Sequence, residues 1–217
     1  MVDNSSLIAG IDDAGRGPLI GPLIIAGVSF SEDNIEFLKR IGVKDSKKLI
    51  PSTRKRLCRI IKSIAHKIVI KEISPQLIDQ AVFRVKYQGL NHLEAIFIAK
   101  IIEELRPSIV YVDSPDIIPE RFKEMILKLL PNSSRYVKII CENKADLNYL
   151  VVASASILAK EYREECIIKL KRIYGDFGSG YPSDTRTIYF LKRFYRENGT
   201  LPPIVRKSWK TLKRIIK

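Results

Sequence analysis

Four aspartates stand where their side chains could do chemistry together. Asp12 and Asp13 follow the apolar run Leu7 to Ile11, Asp113 ends another run in YVDSPD, and Asp146 lies just after a third in ENKADLNYL. A strand points successive side chains to opposite faces, so Asp12 and Asp13 can face one place only through a bend, which Ala14-Gly15 would provide. Carboxylates at one edge of a sheet repel one another unless cations sit among them, and hard oxygen ligands of this kind suit Mg2+ or Mn2+. Two such ions, roughly 3.5–4 Å apart, clamp a phosphodiester, lower the pKa of an attacking water and stabilise the departing oxygen. Singly, each acid is also what an ordinary solvated turn contains, since Asp favours such positions. Their shared context at three strand ends sets them apart.

Apolar runs that read as strands span Leu7 to Ile11, Leu23 to Phe30, His66 to Ile73, Ser108 to Val112 and Tyr136 to Cys141. Helical periodicity runs over Ser52 to Ile64, Asn91 to Leu105, Glu120 to Leu130 and Ala153 to about Ile173. Little helix separates the first two strands, which suggests antiparallel pairing, whereas the later strands alternate with helices and suggest parallel additions. The expected class is α/β, a five-stranded mixed sheet flanked by helices. Asp184 to Asn198 reads as a charged helix closed by Gly199, and Leu201-Pro202-Pro203 breaks into a basic tail. We therefore expect a catalytic domain over residues 1–180 and a basic helical extension over 181–217.

The chain has 217 residues, a formal net charge of +14 and a sequence pI near 9.7, an excess that attracts polyanions such as nucleic acid. Three separated cysteines without a CxxC pair, and only two histidines, argue against a zinc site. The sequence lacks a GxxxxGK[ST] phosphate loop, and Ser154 and Ser156 have no histidine in their motif for a nucleophilic triad. Their small side chains, with Ala153 and Ala155, suit close packing of a helix on the sheet. With no basic leader before an apolar run and no membrane-length apolar stretch, a soluble cytoplasmic protein is expected.

The run GIDDAGRGPLIGP resembles the first signature of the ribonuclease HII family, in which an Asp-Glu pair precedes Ala-Gly-Arg-Gly-Pro. KDSKKL (Lys44 to Leu49), YVDSPD, NKADLNYLVVASASILAKEYRE (Asn143 to Glu164) and FGSGYPSD (Phe177 to Asp184) are similar to the family's later motifs in the same order. The C-terminal PPIVRKSWKTLKRI is similar to the ending of archaeal members. The resemblance implies a ribonuclease H-like fold with a helical C-terminal extension, and Asp12, Asp13, Asp113 and Asp146 as catalytic, metal-binding acids. It also implies hydrolysis 5′ of ribonucleotides in RNA–DNA hybrids, or of single ribonucleotides embedded in duplex DNA, leaving a 3′-hydroxyl and a 5′-phosphate. A monomer is expected. A sliding clamp is a conceivable partner, but the tail TLKRIIK shows no evident clamp-binding pattern.

Specificity for ribonucleotides requires donors and acceptors around the 2′-hydroxyl. In Gly15-Arg16-Gly17 the missing side chains let the backbone approach a sugar or phosphate closely, and the Arg16 guanidinium can bridge a phosphate. Tyr181 resembles the family tyrosine that packs on the sugar at the DNA–RNA junction. Of Lys47 and Lys48, Lys47 is chosen as a phosphate contact. Trp209 is expected to dock the tail, leaving Arg206, Lys207, Lys210 and Lys213 to touch backbone phosphate nonspecifically.

Three departures from the family pattern stand out: Asp13 where the family has Glu, Leu150 where Pro is common, and Asn143 where His is frequent. Asp is one methylene shorter than Glu, and a misplacement of about 1 Å can cost on the order of 100-fold in rate. A hybrid-binding protein with weakened turnover is therefore the alternative reading.

Overall fold

Three of the expected apolar runs become neighbouring strands of one sheet, and their parallel pairing brings the acids to a common edge. The computed structural model describes residues 7–43, 49–134 and 136–215. Its strands are β1 (Ile8–Ala14), β2 (Leu23–Phe30), β3 (Lys67–Ile73), β4 (Ile109–Asp113) and β5 (Lys138–Glu142), in the order β3-β2-β1-β4-β5. Its helices are α1 (Glu32–Arg40), α2 (Pro51–Ile64), α3 (Pro75–Val82), α4 (Leu90–Leu105), α5 (Pro119–Leu129), α6 (Ala145–Asn148), α7 (Leu150–Tyr174), α8 (Thr185–Asn198) and α9 (Lys210–Ile215). The sheet is mixed, as expected.

β4 runs parallel to both β1 and β5, with Ile11 beside Val112, and Val112 beside Cys141. Asp12 and Asp113 follow the paired Ile11 and Val112, so they emerge at the same end of their strands. Glycines admit the helices that cover this part of the sheet. A Cβ on Gly10 would lie 2.1 Å from the Val151 carbonyl carbon of α7, and one on Gly27 would lie 2.2 Å from the Ile101 side chain of α4. The Ile11 side chain also faces the Gly27 position. Residues 10 and 11 point to opposite faces of β1, so α7 and α4 lie on opposite sides of it.

Two expectations change here. β1 does not end at Ile11 but continues through both acids to Ala14, because the backbone ladder that defines a strand is indifferent to the charge of its side chains. The helix expected from Ala153 begins at Leu150. That first helical position is where proline is best tolerated, which accounts for Leu replacing the family's Pro without loss of the helix.

The chain divides into two units. The first comprises residues up to Ala14, Ile25–Lys71 and Glu94–Glu161; the second comprises Gly15–Ile24, Glu72–Leu93 and Tyr162 onward. Segment 181–217, expected as a helical extension, carries α8 and α9 and belongs to the second unit along with the glycine turn. The second unit has its own apolar centre, built from Leu19, Ile20, Ile167, Phe177, Phe190, Leu191, Val205 and Leu212, with Trp209 packed against it. Among the described residues no helix is long and apolar enough to cross a membrane.

Candidate active site

The first unit holds the four acids. Asp12 is buried, and Asp13, next in the same strand, is half-buried; the Asp13 amide donates to Asp12 Oδ1 at 2.7 Å. Burial pushes the Asp12 carboxyl well above the usual carboxylate range, and the charges of Asp13 and Asp113 push it further the same way. Hydrogen bonds from the Ser156 hydroxyl and the Asp13 amide oppose that rise. Ser156 on α7, read from sequence as packing alone, thus also touches the chemistry-bearing acid. Asp113 Oδ1 accepts the Ala145 amide at 2.7 Å, which ties the end of β4 to the start of α6. Asp146, within α6, is buried.

Asp12, Asp13 and Asp113 line one small cavity together with Glu94 of α4, a buried acid that sequence reasoning missed. Its position in a helix beginning LNHLEA carries no strand-end signal. Among the described residues no three acid, His or Cys side chains are already gathered at metal-holding spacing. The donor chemistry nonetheless suits a hard divalent cation: the groups are carboxylates, at least one is buried beside two others, and their mutual repulsion is what a cation relieves. Asn143, the residue in place of the family's His, serves the architecture. Its Nδ2 donates to the Ser114 carbonyl at 2.9 Å and the Asp116 carbonyl at 2.7 Å, fastening the loop after Asp113.

The second unit holds the glycine turn and the tyrosine. Gly15 has φ +91°, a left-handed conformation that glycine adopts without strain. The Arg16 guanidinium donates through Nη2 to Asn91 Oδ1 at 2.5 Å. Gly17 is exposed, and a Cβ there would lie 3.7 Å from the Tyr181 ring, so the turn and the tyrosine are neighbours. The Tyr181 loop is held from several sides. Asp184 Oδ2 accepts the Ser179 amide at 2.7 Å, Thr187 Oγ1 accepts the Gly180 amide at 3.0 Å, and the Gly180 carbonyl accepts the Leu19 amide at 2.7 Å. The Ser179 amide, and after it Arg186, hold the Asp184 carboxyl well below its ordinary range.

The tail supports the same turn, and in one respect this corrects the sequence reading. Arg206, expected among the phosphate-touching cations, is fully buried and donates to the carbonyls of Gly15 at 2.6 Å, Arg16 at 2.9 Å and Gly21 at 3.0 Å. A guanidinium carries enough donors to gather three carbonyls of one turn, which a solvated surface cation does not do. Trp209 docks the tail as expected, its Nε1–H donating to the Gly17 carbonyl at 3.1 Å. Lys207, Lys210 and Lys213 are exposed. Lys47 and Lys48 lie outside the described residues.

A family model described as Ribonuclease HII matches residues 9–212. A Ribonuclease HII of Thermofilum pendens is 47% identical over 212 residues, covering 96% of this chain and 98% of that protein. The crystal structure of ribonuclease H2 from Pyrococcus horikoshii OT3 matches with a TM-score of 0.87 at 42% identity, covering 97% of each chain. A chain from the PCNA:RNase HII complex of Archaeoglobus fulgidus matches with a TM-score of 0.84 at 42% identity, covering 94% of this chain and 95% of that one. The mixed sheet with its acid-bearing strand ends is thus that of a ribonuclease H-type hydrolase. Within that class, the chain belongs to the ribonuclease HII family.

Proposed function

We propose that this enzyme hydrolyses the phosphodiester 5′ of ribonucleotides in RNA–DNA hybrids, and of single ribonucleotides embedded in duplex DNA, leaving a 3′-hydroxyl and a 5′-phosphate. Asp12, Asp13, Asp113 and Asp146 hold two Mg2+ or Mn2+ ions. The observation that carries this reading is Asp12, a buried carboxylate crowded by Asp13 and Asp113, a combination that favours bound cations over bare charge. When bound, such ions activate a water and stabilise the leaving oxygen. The chain's own groups do the rest. Ser156 and the Asp13 amide orient Asp12, and the Ala145 amide orients Asp113.

Recognition of the ribose falls to the backbone of Gly15 to Gly17 and to Tyr181, whose proximity at Gly17 supports their acting on one sugar. Arg16 and Lys47 contact neighbouring phosphates. The protein works as a cytoplasmic monomer on ribonucleotide-containing nucleic acid, and the PCNA complex of the Archaeoglobus fulgidus relative makes a sliding clamp a candidate second partner. The test is incubation with Mg2+ or Mn2+ and a DNA duplex carrying one ribonucleotide. Cleavage should fall 5′ of that nucleotide, vanish in Asp12→Asn and Asp113→Asn, and be absent on the all-DNA duplex. Cleavage without metal, or equal cutting of all-DNA, refutes the proposal.

A further inference from the structure

The second unit contains a buried cation that its own hydrogen-bonding groups do not satisfy. Arg163 of α7 is 8% exposed, and its Nε and Nη2 atoms have no hydrogen-bond partner among the described residues. Glu164, Tyr181 and Cys166 act on it electrostatically, but burial outweighs them and lowers the guanidinium's pKa. Arg206 in the same unit shows what a satisfied buried guanidinium looks like there, with its three carbonyl acceptors. Buried donors are nearly always paired, and an arginine does not shed its proton to escape the cost. The deficit at Arg163 therefore leaves an edge open to an acceptor that the described residues do not supply.

The surroundings of Arg163 indicate which acceptor. A Cβ on Gly15 would lie 2.3 Å from Nε and 2.5 Å from Cδ, so the arginine fills the space that this glycine leaves empty. The Tyr181 ring lies over the guanidinium, 5.4 Å from centroid to Cζ, and is itself 38% exposed. The ring face steadies the cation without accepting from Nε–H and Nη2–H in the way an oxygen would. Those two N–H groups form the side-on edge of a guanidinium, which matches the paired oxygens of a phosphodiester. We propose that Arg163 pairs through this edge with a backbone phosphate of the bound strand as Tyr181 moves from the guanidinium onto the sugar, making phosphate binding and seating of the tyrosine one event. The proposal rests on the reading of the glycine turn and Tyr181 as the ribose-recognising elements.

The test uses the full chain with Arg163→Met and Arg163→Lys. Duplex binding is measured without divalent metal over a range of salt concentrations, on a single-ribonucleotide duplex and its all-DNA counterpart, beside thermal melts of the free proteins. Arg163→Met should melt at or above the wild-type temperature, because an unsatisfied buried charge has gone, yet bind at least about tenfold more weakly. Its slope of log K against log salt should shrink by about 0.9, one phosphate contact on duplex. Arg163→Lys should keep the slope and lose affinity, since it retains the charge without the fork.

A lower melting temperature with an unchanged slope would make Arg163 a structural pin and overturn the proposal, as would unchanged binding by a folded Arg163→Met. Inorganic phosphate that stabilises the wild type as much as duplex does would overturn the assignment to a strand. If the wild type shows no preference for the ribonucleotide duplex, the ribose reading fails while the salt slope still reports on the phosphate contact. If the preference stands and the slope does not change in Arg163→Met, this inference alone fails.

Discussion

Replacing Arg206 with methionine should do far more damage than replacing any exposed cation of the tail. The side chain is fully buried, and its guanidinium serves the Gly15, Arg16 and Gly21 carbonyls at 2.6, 2.9 and 3.0 Å while stacking 5.2 Å from the Trp209 ring. Methionine keeps most of the stem's packing and removes every donor. Gly15 and Gly21 are buried, so two carbonyls lose their partner where water cannot substitute, whereas half-buried Arg16 is rescued in part by solvent. At about 1–3 kcal/mol for each stranded buried acceptor, the loss is about 2–6 kcal/mol. That is a large share of a domain stability of about 5–15 kcal/mol. In a chain of this size each kcal/mol moves the melting temperature by about 2–4 °C, so a fall of at least about 4 °C is expected. The assay is paired thermal and urea unfolding of Arg206→Met, Arg206→Lys and Lys210→Met. Lysine should recover part of the loss, and exposed Lys210→Met should remain within about 0.5 kcal/mol of wild type. An Arg206→Met protein as stable as Lys210→Met would refute the reasoning, because the turn would then not depend on the cation beneath it.

Gly10→Ala should unfold the protein or lower its stability by more than about 3 kcal/mol, since the added methyl meets the α7 backbone at 2.1 Å and neither element can yield cheaply; a melting temperature within 2–3 °C of wild type, about 1 kcal/mol, contradicts this. Asp12 has a folded pKa raised above its unfolded value, so its favourable contribution is complete below the unfolded pKa and is lost as pH rises through the folded one. Metal-free wild type should therefore lose stability over that rise while Asp12→Asn does not. Melting curves of the two that run parallel across the pH range would dismiss the effect. Asp13→Glu should raise the cleavage rate by roughly tenfold or more if the shorter carboxylate misplaces its ligand atom by part of an ångström. Single-turnover rates that do not move would show that Asp13 already reaches its target.

The sheet was legible because burial on both faces writes a strand as a near-continuous apolar run, as in Leu23 to Phe30, where every residue of β2 is buried. The limit of β1 was not legible in the same way, since the chain stays paired through Asp12 and Asp13 although their chemistry suggests an end. Two short helices escaped notice despite readable starts. Ser31 precedes Glu32 and Asp33 at the start of α1, and Ser74-Pro75 opens α3 with the Ser74 hydroxyl accepting the Leu77 amide at 3.3 Å. Both were too short for periodicity to register.

The four acids were visible because a carboxylate at a strand end contrasts with its apolar run, and the glycine turn because glycine and proline punctuate the chain. Arg163, Arg206 and Glu94 had no such contrast. Arg206 lies 190 residues from Arg16, whose carbonyl it serves, and nothing local distinguishes it from neighbouring Lys207, which is exposed. A net charge of +14 counts the two alike, although one fastens a turn and only the other meets solvent. The basic composition that points to a polyanion therefore overstates what the tail presents at its surface, where Lys207, Lys210 and Lys213 are exposed and Arg206 is not. The same distinction separates the two buried arginines. Arg206 has its acceptors within the chain and so contributes to the fold, whereas Arg163 presents an edge without a partner among the described residues, the edge we assign to a bound phosphate.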